Sequence, residues 1–508
     1  MIVILDFGSQ YTQLIARRVR EQKIYCEILP HTVPYSQIES REPKGIILSG
    51  GPQSVDGDGS PNCAKEVFSG LQPVLGICYG MQLMAHSLGG QVQRAKKREF
   101  GHAEILVEES SSLFKGLPKQ ISVWMSHGDE VTALPSGFIR LAKSSGANYS
   151  AMCHPQKNLY GVQFHPEVVH TAQGKEILAN FLFSVCGELG DWKMSSFIEK
   201  EKTEIRQQVG TKKVICALSG GVDSAVAAAL VQEAIGDQLH CIFVDNGLLR
   251  WGEKERVEKI FRAKFKNQLH IVDAKKYFLK KLKKVTDPEK KRKIIGKEFI
   301  SVFEKESKRL GEIDFLVQGT LYPDLIESQS VKGPSSVIKT HHNVGGLPKK
   351  MKLSLVEPLK FLFKDEVREL GRELGLPDEI LSRHPFPGPG LAVRILGGVT
   401  EEKLKIVSEA DKIVEEEIRA SGLYSSLWQA FAVLIPVWTV GVMGDARTYE
   451  RVIVLRAVTS QDAMTADWAD IPKKVLSKIS NRIINEVKGV NRVVYDISSK
   501  PPATIEWE

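Results

Sequence analysis

The stretch Pro73-Val74-Leu75-Gly76-Ile77-Cys78-Tyr79-Gly80-Met81-Gln82 runs an apolar segment into a glycine-flanked cysteine and then into a helix-like segment, MQLMAHSLG. A short apolar run bounded by turn residues reads as a buried strand. Gly76 and Gly80 leave room for a tight, strained strand-to-helix turn with Cys78 at its tip. The first N–H groups of the helix then face the thiol and favour its thiolate. Working outward, IVILDF, GIILSGG and LYGVQFH are further buried-strand candidates, separated by helix-like stretches such as TQLIARRVREQ. Strands alternating with helices predict a mostly parallel sheet with helices on its faces. Strand ends along one edge of such a sheet converge on a common site.

The pattern restarts after an amphipathic segment at residues 195–208 that reads as a linking helix. VICAL leads into Ser219-Gly220-Gly221-Val222-Asp223-Ser224, then a helix AVAAALVQEA and a strand HCIFVDN, which predicts a second doubly wound sheet. The stretch RHPFPGPGLAVRILGG, residues 383–398, is too rich in Pro and Gly for a regular element and marks a boundary. Beyond it, a helix-spaced segment (EEKLKIVSEADKIVEEEIRAS) and strands such as ERVIVLRAV and NRVVYDIS predict a smaller α+β part. The expected class is α/β, with two doubly wound, mostly parallel-sheet domains (1–190 and 191–384) followed by an α+β C-terminal domain (385–508). A chain of 508 residues fits this division at about 150 residues per domain.

With 42% hydrophobic and 26% charged residues, the composition is that of an ordinary globular protein, and disorder is not expected. A formal charge of +8 spread over this length suits small anionic substrates as well as nucleic acid, so charge alone does not call for a nucleic-acid partner. The seven cysteines are scattered and lack CxxC pairing, which fits a reducing setting rather than a disulfide or zinc framework. No run is long and apolar enough to span a bilayer, and MIVILDFGSQ lacks the features of a signal peptide. A cytoplasmic protein with no membrane partner is expected.

A thiolate at Cys78 needs a proton shuttle. Gln163-Phe164-His165-Pro166-Glu167, at the end of another apolar strand, supplies His165 as base and Glu167 as the group that orients it. Ser49-Gly50-Gly51-Pro52, also at a strand end, offers backbone N–H groups for an oxyanion. GICYGMQ, FHPE and SGGP together resemble the class I glutamine amidotransferase family over nearly all of residues 1–190. The resemblance implies a glutamyl thioester on Cys78, an oxyanion hole at Gly51 and Tyr79, and a glutamine pocket lined by Gln82, Ser126 and His127. The product passed on is ammonia.

SGGVDS lacks the Lys-Ser/Thr of a Walker A loop, so γ-phosphate transfer is poorly supported. Gly220 and Gly221 instead let backbone N–H groups approach an anion, and Ser224 adds a hydroxyl. Asp223 tolerates a phosphate neighbour only with a divalent cation between them, which calls for Mg²⁺ with Asp223 as its candidate ligand. The hexamer (Ser219, Gly220, Gly221, Val222, Asp223, Ser224) resembles the pyrophosphate loop of adenylating ATPases. Asp245, Gln318 and Gly319 at later strand ends, with Lys364, complete the candidate ATP site. For Asp245 a loop-capping role and a ribose or metal contact remain equal rivals.

From SGGVDS through QGTLYPDLIES, KTHHNVGG and HPFPGPGLAVR to KPPATIEWE, the chain resembles the glutamine-hydrolysing GMP synthetase family end to end. That resemblance implies adenylation of XMP by ATP, displacement of AMP by ammonia, and a homodimer formed through the C-terminal domain. It also implies XMP contacts from Lys500, Thr504, Ile505 and Glu506. Lys339, in the lid-like loop KGPSSVIKTHHNVGGLPKK, is a candidate for the nucleotide phosphate. Zinc at the adjacent His341 and His342 is not expected, because neighbouring residues rarely converge on one ion. The lysine-rich FLKKLKKVTDPEKKRKIIGKEF invites an RNA-binding reading, but its apolar spacing favours two helices with lysines on their solvated sides. Two rivals stay open: a glutamine-dependent synthetase with another acceptor, resembling NAD synthetase, and an idle regulatory or RNA-interacting protein. KPPATIEWE counts against the first, and the intact Cys78, His165, Glu167 and SGGVDS against the second.

Overall fold

The apolar runs around Cys78 become neighbouring strands in the computed structural model, which describes residues 1–57, 59–109, 111–329, 353–443, 446–460 and 465–508. Lys339, His341, His342 and the lid-like loop lie outside the described residues. The chain divides into two compact units, Met1–Ser196 and Phe197–Glu508.

In the first unit, β1 (Ile2–Asp6) leads to helix α1 (Thr12–Glu21), followed by β2 (Cys26–Pro30), β3 (Gly45–Leu48) and β4 (Val74–Ile77). Helix α2 (Tyr79–Ser87) starts directly after Cys78. Then come β5 (Gln91–Val107), β6 (Gln120–Ala133), β7 (Ile139–Ser144), β8 (Ala151–His154) and β9 (Leu159–Val162). Among the described residues these nine strands form one sheet in the order β2-β1-β3-β4-β9-β8-β7-β5-β6. The first five run parallel, and the remaining pairings are antiparallel.

The antiparallel extension is a departure from the expected alternation. β6 buries only every second residue (Ile121, Val123, Met125, His127), a pattern weaker than the continuous apolar runs of β1, β3, β4 and β9. Those central strands are buried on both faces, and Val3, Leu5, Ile46, Leu48, Val74 and Met81 share one core.

The division between the units falls within helix α3 (Met194–Val209), close to the expected linking helix. The second unit begins with β10 (Val214–Leu218), α4 (Val222–Ile235), β11 (Leu239–Asp245), α5 (Glu253–Phe265) and β12 (Leu269–Asp273). Helix α6 (Pro288–Arg309), β13 (Phe315–Val317), α7 (Tyr322–Gln329), β14 (Ser354–Val356) and α8 (Lys364–Glu373) follow. Among the described residues β10 to β14 form a five-stranded parallel sheet in the order β12-β11-β10-β13-β14. The strand order reverses between β10 and β13, so the crevice of this sheet opens beyond the end of β10, where SGGVDS begins.

The last part joins α9 (Glu401–Ala420), β15 (Gln429–Met443), β16 (Ala446–Thr459), β17 (Asp467–Trp468), α10 (Lys473–Glu486) and β18 (Val490–Tyr495). β15 and β16 form an antiparallel hairpin, and β18 lies parallel to β16. One hydrophobic core runs from Ile215 and Ile242 of the parallel sheet through Leu391 and Ile395 to Val407, Ile453 and Ile483. The Pro/Gly-rich stretch read as a boundary therefore contributes core residues. In the lysine-rich region Phe278, Leu282 and Ile295 are buried as expected, but Lys291 departs from the expected solvated side and is fully buried.

Candidate active site

Cys78 sits at the junction of β4 and α2 with φ 51° and ψ −106°, a strained backbone for a non-glycine residue. Its N–H donates to the Val162 carbonyl of the adjacent β9 at 2.8 Å, which fixes the turn at the sheet edge. The close packing explains its glycine neighbour: a Cβ on Gly80 would lie 2.6 Å from the Leu48 carbonyl oxygen. Helix α2 can press onto β3 only where no side chain intervenes.

His165 follows β9, the neighbour of β4 in the sheet, and its imidazole lies close enough to the Cys78 side chain for the two to interact. His165 Nδ1 donates to Glu167 Oε1 at 2.7 Å, which leaves Nε2 for the thiol. Both residues are buried, and Glu167 is completely so. Burial opposes a charge on His165, but the Glu167 carboxylate and Cys78 outweigh it and push the imidazole up to about 11. Cys78, His165 and Glu167 are thus brought together at one edge of the sheet.

The loop at Gly50 and Gly51 follows β3, on the other side of β4. A Cβ on Gly50 would be 3.3 Å from His165 Cε1, and one on Gly51 would be 3.2 Å from the Tyr79 ring, so this loop lies against both. Tyr79 itself is fixed by donating its hydroxyl to the Pro61 carbonyl at 2.5 Å. As the first residue of α2 its N–H has no partner within the helix, which is what an oxyanion donor requires.

Around the thiol, Ser126 offers its carbonyl oxygen 3.7 Å from Sγ. Gln82 Nε2 donates to the Asp129 carbonyl at 2.8 Å and to Gln163 Oε1 at 3.2 Å, so its amide group is committed to the wall of the site. His127 is likewise held, by the Asp129 carbonyl at 3.0 Å and Glu99 Oε2 at 3.3 Å. Burial disfavours charge on Glu99, yet hydrogen bonds from His127 and Ser144 hold its carboxyl below the usual range. Sequence reasoning missed Gln163, whose Nε2 points at Sγ from 3.7 Å, although it stands beside FHPE. It also missed Thr171, which donates to the His165 carbonyl at 2.6 Å, and Arg18, which donates to the Glu167 carbonyl at 3.0 Å. Neither carries a local motif.

In the second unit SGGVDS forms a turn closed by its own hydroxyls. Ser219 N donates to Ser224 Oγ at 3.3 Å, and Gly221 N to Ser219 Oγ at 3.3 Å. Val222 begins α4. Lys364, at the start of α8, donates to both Asp223 oxygens at 2.6 and 2.7 Å. Gly319 packs on Asp223, where an added Cβ would be 3.2 Å from its carbonyl carbon. Gln318 is tied by its N–H to the Val356 carbonyl of β14 at 3.0 Å.

Asp245 ends β11, caps its own loop by accepting from Gly247 N at 3.1 Å, and pairs with Lys275 at 3.2 Å. Most of the candidate ATP residues thus stand around the end of β10. A buried clamp that sequence reasoning missed completes the loop: Arg383 Nη1 donates to the Gly220 carbonyl at 2.8 Å and Nη2 to Glu253 Oε1 at 2.9 Å.

The tail residues are arranged differently from one another. Glu506 accepts from Arg394 at 3.1 and 3.3 Å and from Gln429 at 2.6 Å. Ile505 places its side chain in a core with Phe431, Val433 and Val454, so only its main chain is left for a ligand. The Thr504 hydroxyl donates to the Glu506 carbonyl, and Lys500 bridges Ala466 through its backbone. A cavity of about 500 Å³ opens beside Asp496, Ser498, Thr504, Glu506 and Trp507. No cluster of three or more His, Cys, Asp or Glu able to hold a metal occurs among the described residues. Among them, no helix is long and apolar enough to cross a membrane.

Comparison with known proteins covers both units. A family model described as glutamine amidotransferase class-I matches residues 3–185, one described as NAD synthase matches 194–290, and one described as GMP synthase C terminal domain matches 416–507. A protein of Carboxydothermus hydrogenoformans named GMP synthase (glutamine-hydrolyzing) is 60% identical over 507 residues, covering 100% of this chain and 99% of its own. Relatives of the same name from Brachyspira hyodysenteriae and Clostridium tetani are 59% and 58% identical, each over 100% of this chain and 99% of their own. With identity of this order from end to end, the chain belongs to the glutamine-hydrolysing GMP synthase family.

Proposed function

We propose that the chain hydrolyses glutamine to ammonia in its first unit and uses ATP in its second to convert XMP into GMP, with AMP and pyrophosphate as the other products. The observation that carries this reading is the full-length identity to proteins named for that reaction. The division proposed is an amidotransferase at 1–190, an ATP pyrophosphatase at 191–384 and a dimerisation and XMP-binding domain at 385–508, in a cytoplasmic enzyme that takes no nucleic acid.

At the first site the Cys78 thiolate attacks the carboxamide carbon of glutamine. The N–H groups of Gly51 and Tyr79 stabilise the oxyanion. His165, protonated and held by Glu167, gives its proton to the departing ammonia. His165 then takes a proton from the water that cleaves the thioester, releasing glutamate. Gln82, Ser126 and His127 shape the glutamine pocket through the contacts that fix them.

At the second site the SGGVDS turn cradles ATP phosphates with the first N–H groups of α4, from Val222 to Ser224, while Asp245, Gln318 and Gly319 bound the nucleotide. Lys364 is the cation that reaches the phosphates. The 2-oxo oxygen of XMP attacks the α-phosphorus, pyrophosphate leaves, and ammonia then displaces AMP from the purine carbon. Asp223 is a hard oxygen donor that fits Mg²⁺ carried on ATP rather than caged by protein, since Lys364 already faces both its oxygens. When bound, Mg²⁺ neutralises the pyrophosphate.

For XMP, the tail residues Lys500, Thr504, Ile505 and Glu506, with Lys339, are the proposed contacts. The neighbouring cavity of about 500 Å³ is in the range a small ligand fills. Glu506 retains acceptor capacity beyond its bonds to Arg394 and Gln429, because a carboxylate offers about four lone-pair sites. A second copy is the proposed partner of the exposed apolar hairpin residues Trp438, Val440, Val442 and Tyr449.

The test supplies ATP, Mg²⁺ and glutamine with and without XMP. GMP, AMP and pyrophosphate should appear only with XMP, and equal AMP release without it would refute the substrate assignment. Cys78→Ala should abolish glutamine use while added ammonia still supports GMP formation.

A further inference from the structure

The last residues of the chain are gripped at every second position by a buried cation, each from a different element. Arg456 of β16 donates to the Thr504 carbonyl at 3.3 Å, Arg394 to the Glu506 carboxylate, and Lys291 of α6 to the Glu508 carboxylate. All three cations are fully buried. The intervening residues have other partners: Ile505 enters the core, and Trp507 Nε1 donates to Asp496 at 2.9 Å.

Lys291 completes its three donors with the carbonyls of Ala392 at 3.1 Å and Ile395 at 2.7 Å. Arg292, next to it on α6, donates to the Glu508 main-chain oxygen. A lysine is placed without solvent only where each N–H finds an acceptor, because an unpaired buried charge is costly. One ammonium thus ties α6, the stretch 392–395 beside Arg394, and the tail.

We infer that Lys291 is a positioning residue for XMP: by holding Glu508 and the Ala392 and Ile395 carbonyls, it fixes the register in which Lys500, Thr504 and Glu506 meet the nucleotide. The inference rests on the proposal that this tail binds XMP. Substitution of Lys291 leaves two carbonyls without this donor and removes the buried cation from the carboxylate of Glu508, a residue that the Gly397 N–H and Arg292 then hold without it. The ATP loop, held separately by Arg383 and Glu253, keeps its geometry.

The experiment measures ammonia-dependent GMP formation by Lys291→Met, Glu508→Gln, the double variant and Lys500→Ala, with thermal unfolding of each. Lys291→Met should raise KM for XMP about tenfold, leaving KM for ATP within about twofold and kcat within about threefold. Glu508→Gln should raise KM for XMP in the same direction, and the double variant should raise it by less than the product of the two single effects, because the two residues share a bond. Lys500→Ala tests the tail reading by itself. If Lys500→Ala raises KM for XMP and neither Lys291→Met nor Glu508→Gln does, the inference is wrong and the tail reading stands. If Lys500→Ala has no effect, the tail reading fails and the inference goes with it. A parallel rise of KM for XMP and for ATP would mark Lys291 as merely structural, and Glu508→Gln decides the matter if Lys291→Met does not fold.

Discussion

Arg383 Nη1 donates to the Gly220 carbonyl at 2.8 Å across 163 residues of sequence, and its other terminal nitrogen is bound to Glu253. Gly220 has φ 76°, and a Cβ there would lie 2.7 Å from Glu253 Oε1, so the clamp and the glycine require one another. Lysine cannot reproduce the planar fork that reaches both acceptors. Arg383→Lys should raise KM for ATP by about tenfold or more in the ammonia-dependent reaction. Arg383→Ala, which leaves Glu253 buried without its partner, should also cost about 3 kcal/mol of stability. Basal glutamine hydrolysis should persist in both. An unchanged KM for ATP in folded Arg383→Lys would show that the clamp does not shape the loop.

Glu167 is what makes His165 a strong base despite its burial. With the imidazole raised from 6.5 to about 11, the folded state prefers the protonated form. The stabilisation is therefore complete below about pH 6.5 and is lost as pH rises toward 11. Glu167→Gln removes the carboxylate and keeps the side-chain shape, so it should flatten that part of the pH–stability curve. Glutamine hydrolysis should fall by about 10²–10⁴, the scale seen when a buried orienting carboxylate is neutralised. Ammonia-dependent synthesis should be unaffected. Melting temperatures of the two proteins from pH 6 to pH 10 check the sign: parallel curves would exclude His165 as the titrating group.

How much of this was legible in the sequence depends on whether partners are local. The strand ends carrying Cys78, His165 and SGGVDS announce themselves by apolar runs and glycines, and Glu167 lies two residues from the histidine it orients. Arg383, Glu253 and Lys291 are invisible by the same logic, because their partners are 100 residues or more away and a charged residue by default reads as solvated. The antiparallel strand β6 escapes the sequence reading because half-buried alternation is a weaker signal than a doubly buried run. The stretch 383–398 reads as a boundary from its prolines and glycines, and Leu391, Ala392 and Ile395 are fully buried there. Composition registers backbone irregularity, not burial.

The hairpin of β15 and β16 exposes Val440 at 55% and Val442 at 73%, with Trp438 and Tyr449 stacked at 6.1 Å between centroids. This ridge is the proposed seat of a second copy. The double substitution Val440→Glu, Val442→Glu places like charges at alternate positions on one strand face, which would oppose each other again across a two-fold axis. Light scattering after size exclusion should show a monomer, with glutamine hydrolysis retained in the first unit. A dimer of unchanged mass would move the interface elsewhere.

Gly80 is the position where glutaminase geometry and packing cannot be separated. An added Cβ would stand 2.6 Å from both the Leu48 side chain and the Leu48 carbonyl oxygen, and the latter is backbone that cannot rotate away. Helix α2 must then lift from β3, costing about 1–3 kcal/mol as overpacking does. The lift moves the Tyr79 N–H relative to Gly51, so the oxyanion should lose a donor, worth about 10²–10³ in rate. Gly80→Ala should therefore lower kcat for glutamine far more than it raises KM, while ammonia-dependent synthesis continues. A variant with normal kcat and lowered stability alone would mean that the helix shift spares the oxyanion donors, and that Tyr79 does not supply one.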